Sequence, residues 1–290
     1  MNINQIVITK ASGQQAPFSP EKLKRSLLNV GASEDLAESI VDEIQPKLYP
    51  GISTKKIYRI AFNRLKDISS PLAAKYHLKR GIMELGPSGY PFERFIGEIL
   101  KQQGYTVIVN EIVKGKCVNH EIDVIAEKDN HHFMIECKYH NQPGTKSDVK
   151  IPLYIQARFK DVEEAWIQLP GHGTKFHQGW VVTNTHFTSD AIQYGTCAGL
   201  HVLGWDFPAK DSLKEQIDTL GLYPVTCLTT LTKIEKQQLL ENDIVLCKEI
   251  CNNENHLSII GIESSRIKSI LEEGSQLCNQ LIDNGKHKTK

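Results

Sequence analysis

The stretch EIDVIAEKDNHHFMIECKY, residues 121–139, sets the fold at the centre of this chain. Apolar, β-branched runs around Asp129-Asn130-His131-His132 predict strands over 119–127 and 131–139, with DNHH as a hairpin turn. Side chains alternate along a strand, so Glu136 and Lys138 project from one face and Cys137 from the other. Pairing across the turn brings Asp123 near Glu136. Carboxylates held a few ångströms apart repel by about 1 kcal/mol in water, and by several times that in a partly dry site. A hard divalent cation with oxygen ligands reverses that cost. The arrangement predicts a Mg²⁺ (or Mn²⁺) site at Asp123 and Glu136, with Glu93 as a further ligand, direct or through water. Lys138 would position and help deprotonate a water, or stabilise the charge that develops in phosphodiester hydrolysis. Taken alone, an Asp…Glu-x-Lys set also fits a solvated strand edge with surface ion pairs.

Outward from this hairpin, strands and helices interleave. Glu93 lies in the first turn of a helix over 92–103, whose apolar face is Phe92, Phe95, Ile96, Ile99 and Leu100. A strand over 105–113 precedes the hairpin; a helix at 148–168, a strand at 178–183, a helix at 188–198 and a strand at 200–204 follow it. That rhythm predicts an α/β domain over 89–208. Upstream, Gly86-Pro87-Ser88-Gly89-Tyr90-Pro91 reads as a linker. Before it, residues 1–88 open with a short strand or hairpin (5–10) and continue as four helices. Ser19 caps the first helix ahead of Pro20, and Gly31 ends it; Ser33 caps 33–48; Ser53 or Thr54 starts the third; the fourth runs from about Pro71 to Leu85. Past 208 come short amphipathic segments at 211–221, 231–240, 243–251 and 264–282, then a polar tail, Asn284–Lys290, expected to fray. The fold class is multidomain α and α/β: a mostly helical N-terminal domain (1–88), a central α/β sheet (89–208) and a small helical C-terminal region (209–290).

The ordered set Glu93, Gly104-Tyr105, Glu121-Ile122-Asp123 and Glu136-x-Lys138 resembles the PD-(D/E)xK nuclease superfamily, specifically its Mrr-like type IV restriction branch. The resemblance covers about 90–206. Its downstream part, VVTNTHFTSDAIQYGTCAGLHVLGWD (181–206), is similar to the branch's last strand–helix–strand unit with its Thr-Asn-x-x-Phe-Thr-x-x-Ala signature. Many relatives have Gln where this chain has Glu136, and Gly or Pro where it has Ile122. The resemblance implies a restriction-endonuclease-like sheet, a metal-dependent cut in DNA, and Gln156 as an active-site accessory. A role in defence against foreign or modified DNA follows from the same likeness.

Residues 1–85 resemble the ATP-cone, a nucleotide-sensing module. The likeness rests on Val7-Ile8-Thr9-Lys10-Ala11-Ser12-Gly13, Phe18, Glu21-Lys22-Leu23, Gly51-Ile52-Ser53-Thr54 and Tyr76-His77-Leu78-Lys79-Arg80. It implies that Lys10, Lys22 and Arg80, with Lys79 as a substitute, hold the phosphates of ATP or dATP, and that Thr54 lies near the base or phosphate. Lys suits phosphate as a point charge and Arg as a fork. The family's Arg after the Lys is Ala11 here, which removes one phosphate contact. No Gly-x-x-x-x-Gly-Lys run exists, so the nucleotide is expected as an effector that shifts domain placement or a homo-oligomeric state, without being hydrolysed.

Residues 257–271 look somewhat like a helix-hairpin-helix, with Gly261 in the turn and Ser264-Ser265-Arg266 opening the second helix. Glu263 replaces its second Gly, and a packing or dimerising cap fits equally. Cys247 and Cys251 fall on one helix face as core residues.

Composition narrows the rest. The 290 residues carry 34 Lys+Arg against 34 Asp+Glu, which excludes a uniformly basic nucleic-acid binder. By segment, 1–90 holds 13 basic and 8 acidic residues, 91–210 holds 12 and 14, and 211–290 holds 9 and 12, so the positive excess falls on the expected polyphosphate domain. Lys138, Lys146, Lys150, Arg158 and Lys160 gather after the motif, where a DNA backbone would lie. Seven scattered Cys, no apolar run of membrane length and no basic-then-apolar leader over Met1–Lys10 lead to the expectation of a reduced, cytoplasmic protein with no membrane partner. A zinc site at His131, His132, Cys137 and His140 is disfavoured, because strand alternation scatters them. Two readings emerge: a Mg²⁺-dependent DNA endonuclease controlled by ATP or dATP, and a non-catalytic nucleotide-sensing regulator that binds DNA or a partner on a nuclease scaffold.

Overall fold

The structure, a computed structural model, describes residues 6–168 and 176–279. The tail expected to fray and the last residues of the 264–282 helix lie outside the described residues. The chain divides into two compact units. One gathers the chain up to Ile82 with Tyr223–Leu239 and the residues from Cys247 onward; the other is Met83–Leu222 with Leu240–Leu246.

The first unit opens with a hairpin, β1 (Val7–Thr9) and β2 (Gln15–Pro17), followed by α1 (Pro20–Leu28), α2 (Glu34–Ile44), α3 (Thr54–Ile68) and α4 (Ser70–Met83). The expected caps are present: Ser19 accepts from the Lys22 N–H, Ser33 from Leu36 and Ser53 from Lys56. Each cap satisfies a helix-end N–H that otherwise has no partner. Leu23, Leu27, Ile40, Ile44, Ile57, Ala61 and Leu65 recur at helical spacing and close one core. The hairpin is stitched to the turn before α3 by Thr9 N–H to Ile52 O, 3.0 Å, and Gly51 N–H to Val7 O, 2.8 Å.

The second unit begins with α5 (Tyr90–Gln102) and continues through β3 (Thr106–Lys114), β4 (Asn119–Lys128), β5 (His131–Lys138), β6 (Lys146–Ser147), α6 (Lys150–Trp166), β7 (Phe176–Thr183), β8 (His186–Phe187), α7 (Ser189–Cys197), β9 (His201–Leu203) and α8 (Leu213–Leu220). Its sheet has the order β3-β4-β5-β7-β9. The β3-β4-β5 part is antiparallel; β5, β7 and β9 run parallel, with α6 and α7 as the crossovers. The predicted four-residue turn is shorter in the structure. Lys128 already pairs with His131, and Asp129 and Asn130, at φ 50° and 62°, make the turn. Two residues with positive φ match the twist of a tight hairpin, so both His residues join the strand. Val113, Ile122, Ile125 and Met134 of the sheet pack with Phe159, Val162 and Trp166 of α6. On α5, Gly97 lets the helix lie close to β3, where a Cβ would stand 3.0 Å from Val109.

The C-terminal helices are α9 (Lys233–Glu241), α10 (Cys247–Asn252), α11 (Asn255–Ile259) and α12 (Ser264–Asn279). Within the first unit, the Thr226 hydroxyl donates to Gly81 O at 2.7 Å, and a Cβ on Gly81 would stand 2.6 Å from Cys227 Sγ. The C-terminal segment is thus keyed to the end of α4. No helix among the described residues is long and apolar enough to cross a membrane.

Candidate functional site

Asp123 sits where β4 loses its partners on both sides. Toward β3, Val109 pairs with Val124 and Glu111 with Ile122, but Asn110, at φ 60°, is skipped. Toward β5 the register ends at Val124 opposite Ile135, and one further step sets Asp123 opposite Glu136. The Asp123 side chain replaces the missing ladder bond: Oδ2 accepts from the Cys137 N–H at 2.7 Å. β5 stays paired with β7 as far as Lys138 opposite Thr183. The strand is therefore held on one edge and open on the other, and Glu136 and Lys138 project where it opens. Glu136 is 7% exposed, whereas Lys138 reaches solvent beside a polar cavity of about 470 Å³ lined also by Gly89, Tyr139, His140, Asn141 and Gln142.

The structure brings Glu93, Asp123 and Glu136 into one electrostatic neighbourhood. Burial first, then the charges of Asp123 and Glu121, push Glu93 up to about 7. Burial, then Asp123, push Glu136 up to about 8, against the opposing pull of Arg158. Asp123 is also raised by burial, although the Cys137 N–H and Arg158 draw it back. Burial and the same three carboxyls hold the Cys137 thiol well above its usual range, so it is no nucleophile. Gly89 leaves room for Glu93, whose Oε1 would stand 2.9 Å from a Cβ there.

Glu93, Asp123 and Glu136 share this neighbourhood without forming a closed cage of three ligands. Among the described residues no three His, Cys, Asp or Glu side chains are gathered closely enough to hold an ion by themselves. The reason lies in competing partners: Asp123 gives Oδ2 to the backbone, and Glu136 Oε1 lies 2.6 Å from Arg158 NH1. The donor set still suits a hard cation. Mg²⁺ keeps several waters and is commonly held by one or two carboxylates together with substrate phosphate. The Glu136 Oε1 is buried, and its close contact is the ion pair with Arg158 NH1.

The expectation for Arg158 needs correction. Grouped with the lysines as a contact for a DNA backbone, it instead turns inward from α6. Its NH2 donates to the Glu121 carbonyl, and its Nε donates to His120 Nδ1 at 3.4 Å. That leaves His120 Nε2 to donate to Asp161 Oδ2 at 2.7 Å. Asp161 also accepts from the Cys117 N–H at 2.8 Å, and the His120 bond is the main reason its carboxyl falls to about 2. The guanidinium stacks on Tyr154. Lys138, Lys146, Lys150 and Lys160 do lie at the surface, Lys160 pairing with Glu163. Gln156 lies on α6 with its buried Oε1 accepting no hydrogen bond.

The Thr-Asn signature supports the end of β5. Thr183 donates to Lys138 O at 2.7 Å, and the Asn184 amide bonds His140 in both directions, to O at 2.7 Å and from N–H at 2.8 Å. Both side chains are fully buried. They fix the backbone that carries Lys138.

In the first unit, an aromatic stack joins the helices that carry the expected nucleotide residues. Tyr58 stacks on Tyr76 (5.1 Å, 7°) and on Phe62 (5.9 Å, 16°), and its hydroxyl meets His77 Nδ1 at 2.8 Å. The Arg80 guanidinium lies over Tyr58 at 4.5 Å. Thr54 is one helical turn before Tyr58, and so on the same face of α3. Lys22 lies in the first turn of α1, where its N–H is capped by the Ser19 side chain. Lys10 follows Thr9, which bridges to Ser53 beside Thr54. Lys79 is half-buried on α4 next to Arg80. The tyrosines that organise this face were not among the residues expected from sequence; their i, i+4 spacing from Thr54 and Arg80 is the signal that could have found them.

At the C-terminus, α11 and α12 are joined through Gly261 at φ 78°. Arg266, at the start of α12, bonds Glu235 and the Thr230 carbonyl. It is thus engaged within its own unit.

Comparison with known proteins identifies three domains in order: an ATP cone domain at 6–81, a restriction endonuclease domain of the Mrr catalytic type at 86–204, and an AF1548-like C-terminal domain at 223–278. A protein from Archaeoglobus fulgidus, described only as uncharacterized, is 34% identical over 186 residues, which span 63% of this chain and 99% of that protein. The crystal structure of AF1548, a protein of unknown function, aligns at 33% identity with a TM-score of 0.54, over 66% of this chain and 98% of its own. Can2 from Sulfobacillus thermosulfidooxidans, solved with cyclic tetra-adenylate, aligns at 13% identity and a TM-score of 0.31, over 68% of this chain and 54% of its own, too low to carry an argument.

Proposed function

The chain belongs to the AF1548-like family, here an ATP-cone joined to a restriction-endonuclease domain, and on that premise we propose that it is a Mg²⁺-dependent DNA endonuclease whose activity is set by ATP or dATP. The observation that carries this reading is the opened edge of β5, where Asp123 faces Glu136 and Lys138 follows on the same side. A scaffold that only binds DNA has no use for carboxylates that repel phosphate and cost stability through burial.

In this reading Asp123 and Glu136 hold the cation, with Glu93 acting through water. The bound cation would lower the pKa of a water and polarise the phosphodiester. The residues of the chain do the rest. The Lys138 ammonium orients the attacking water and neutralises charge on the phosphate oxygens. Thr183 and Asn184 keep its backbone still, and a displaced nucleophile loses rate steeply. The exposed Lys146 and Lys150 offer charge to the strand being cut. Gln156, with an unused buried acceptor, is an accessory that orders a water or a backbone group beside the site. The nucleotide occupies the face around Tyr58, Tyr76 and Arg80, with Lys10, Lys22, Lys79 and Arg80 toward its phosphates and Thr54 near the base. It acts as an effector by binding one arrangement of the protein better than another.

Plasmid DNA incubated with the full chain tests this reading, in the presence and absence of Mg²⁺ or Mn²⁺, ATP and dATP, alongside size-exclusion of the same mixtures. Divalent-dependent nicking lost in Asp123→Asn supports it. Cutting that survives this substitution removes the proposed site. Failure of any divalent ion to bind moves the protein to the alternative, a nucleotide-sensing regulator that binds DNA or a partner on a nuclease scaffold.

A further inference from the structure

Two observations at the acid cluster point the same way. Without an ion, Glu136 is matched by Arg158, whose NH1 lies 2.6 Å from Oε1. Among the described residues no three His, Cys, Asp or Glu side chains are gathered to complete a ligand set there. A cation that came alone would meet the Arg158 charge and find an incomplete ligand set. A phosphodiester arriving with it changes both conditions, because its oxygens supply ligands and attract the guanidinium. Arg158 is placed for that exchange. Its Nε and NH2 are anchored on His120 and the Glu121 carbonyl, while NH1 pairs with Glu136 at 2.6 Å. His120 is in turn fixed by Asp161, and Asp161 by the backbone at Cys117 and Val118. The anchored side keeps the group in place while its NH1 edge can change partner.

We propose that Arg158 is a positioning residue that couples metal loading to substrate. It stands in for the cation at Glu136 when DNA is absent, and it yields to the cation when a backbone phosphate takes its NH1 edge. This rests on the nuclease reading above and adds to it an order of assembly. The site stays nearly metal-free in the resting protein and fills on DNA. By linkage, the cation must strengthen DNA binding by the same factor by which DNA strengthens cation binding.

The test is Mn²⁺ binding to the full-length protein, read from the electron paramagnetic resonance of free Mn²⁺, with and without a short phosphorothioate duplex. In the wild type the duplex should tighten Mn²⁺ binding by at least about tenfold, on the scale of typical coupling between sites. In Arg158→Gln, Mn²⁺ alone should bind several-fold more tightly than in the wild type, and the duplex should add less than about threefold. Arg158→Lys keeps the charge but not the fork, and should retain most of the coupling. If Arg158→Lys behaves like Arg158→Gln, the fork and not the charge matters, and the placeholder account is overturned. Equal coupling in the wild type and Arg158→Gln, or weaker Mn²⁺ binding by the variant, also overturns it. A wild type that binds no Mn²⁺ even with duplex present defeats the nuclease reading itself, which is a different outcome.

Discussion

Two buried glutamates in this protein have opposite surroundings. Glu273, on α12, is 3% exposed and accepts from the backbone N–H and the hydroxyl of both Thr229 and Thr230, at 2.6–3.0 Å. Glu136, on β5, is 7% exposed, faces another carboxylate and is met by one guanidinium nitrogen of Arg158 at 2.6 Å. The first is a strut, since its charge is spread over four hydrogen bonds that tie the 229–230 turn to α12. The second is held in a state the fold does not favour. Burial alone does not separate a structural carboxylate from one set aside for chemistry; the supply of donors around it does.

The sharpest break of this contrast is enzymatic. Glu136→Gln or Asp123→Asn should lower DNA cleavage by about a thousandfold or more, while Glu273→Gln should leave it within a factor of about three, measured as single-turnover nicking rates. Stability should respond the other way. Glu273→Gln turns an amide NH₂ toward donors and should cost about 2 kcal/mol in urea unfolding.

The first unit offers a third comparison, since Arg80 there leans on the Tyr58 ring at 4.5 Å. Tyr58→Leu or Arg80→Met should weaken ATP binding by about tenfold in calorimetry, through loss of the stacked face and its charge. Equal affinity in both variants would remove that face as the nucleotide site.

The smallest effect is the most diagnostic of the acid cluster. Glu93, raised to about 7, and Glu136, raised to about 8, hold protons more tightly than in the unfolded chain, where the ordinary value is 4.5. Between those values the folded state binds more protons, so stability must fall as pH rises. The contribution is fully present below about 4.5 and is lost as pH climbs through 7 and 8. The melting temperature without metal should therefore drop across that window, and Mn²⁺ should restore more of it at the alkaline end. Glu136→Gln should flatten the pH dependence, and an identical slope in the variant would separate the shift from this site.

What the sequence disclosed follows the range of the interactions involved. Caps at Ser19, Ser33 and Ser53 are set within three residues, and they stand where local chemistry puts them. The i, i+2 pair Glu136 and Lys138 and the hairpin to Asp123 are nearly as local. The strand expected over 131–139 already took in His131 and His132, and the hairpin turn is made by Asp129 and Asn130 alone. Arg158 was misplaced for a longer-range reason. A basic residue on a helix reads as solvent-facing until the strands that carry Glu121 and Glu136 are packed against it. Asn184 was visible as part of a signature, but its double bond to His140 spans 44 residues and has no local trace.

The bond from Thr226 to Gly81 ties the ends of a chain whose middle is the nuclease sequence. In covalent terms that sequence is an insert: it leaves the first unit after Ile82 and rejoins it at Tyr223, with only Leu240–Leu246 returning to the second unit. A single protease cut within Gly86–Pro91 would leave the α4 end held by the fit of Gly81 against Cys227 and by that buried hydroxyl bond. The two fragments should co-purify until denaturant separates them.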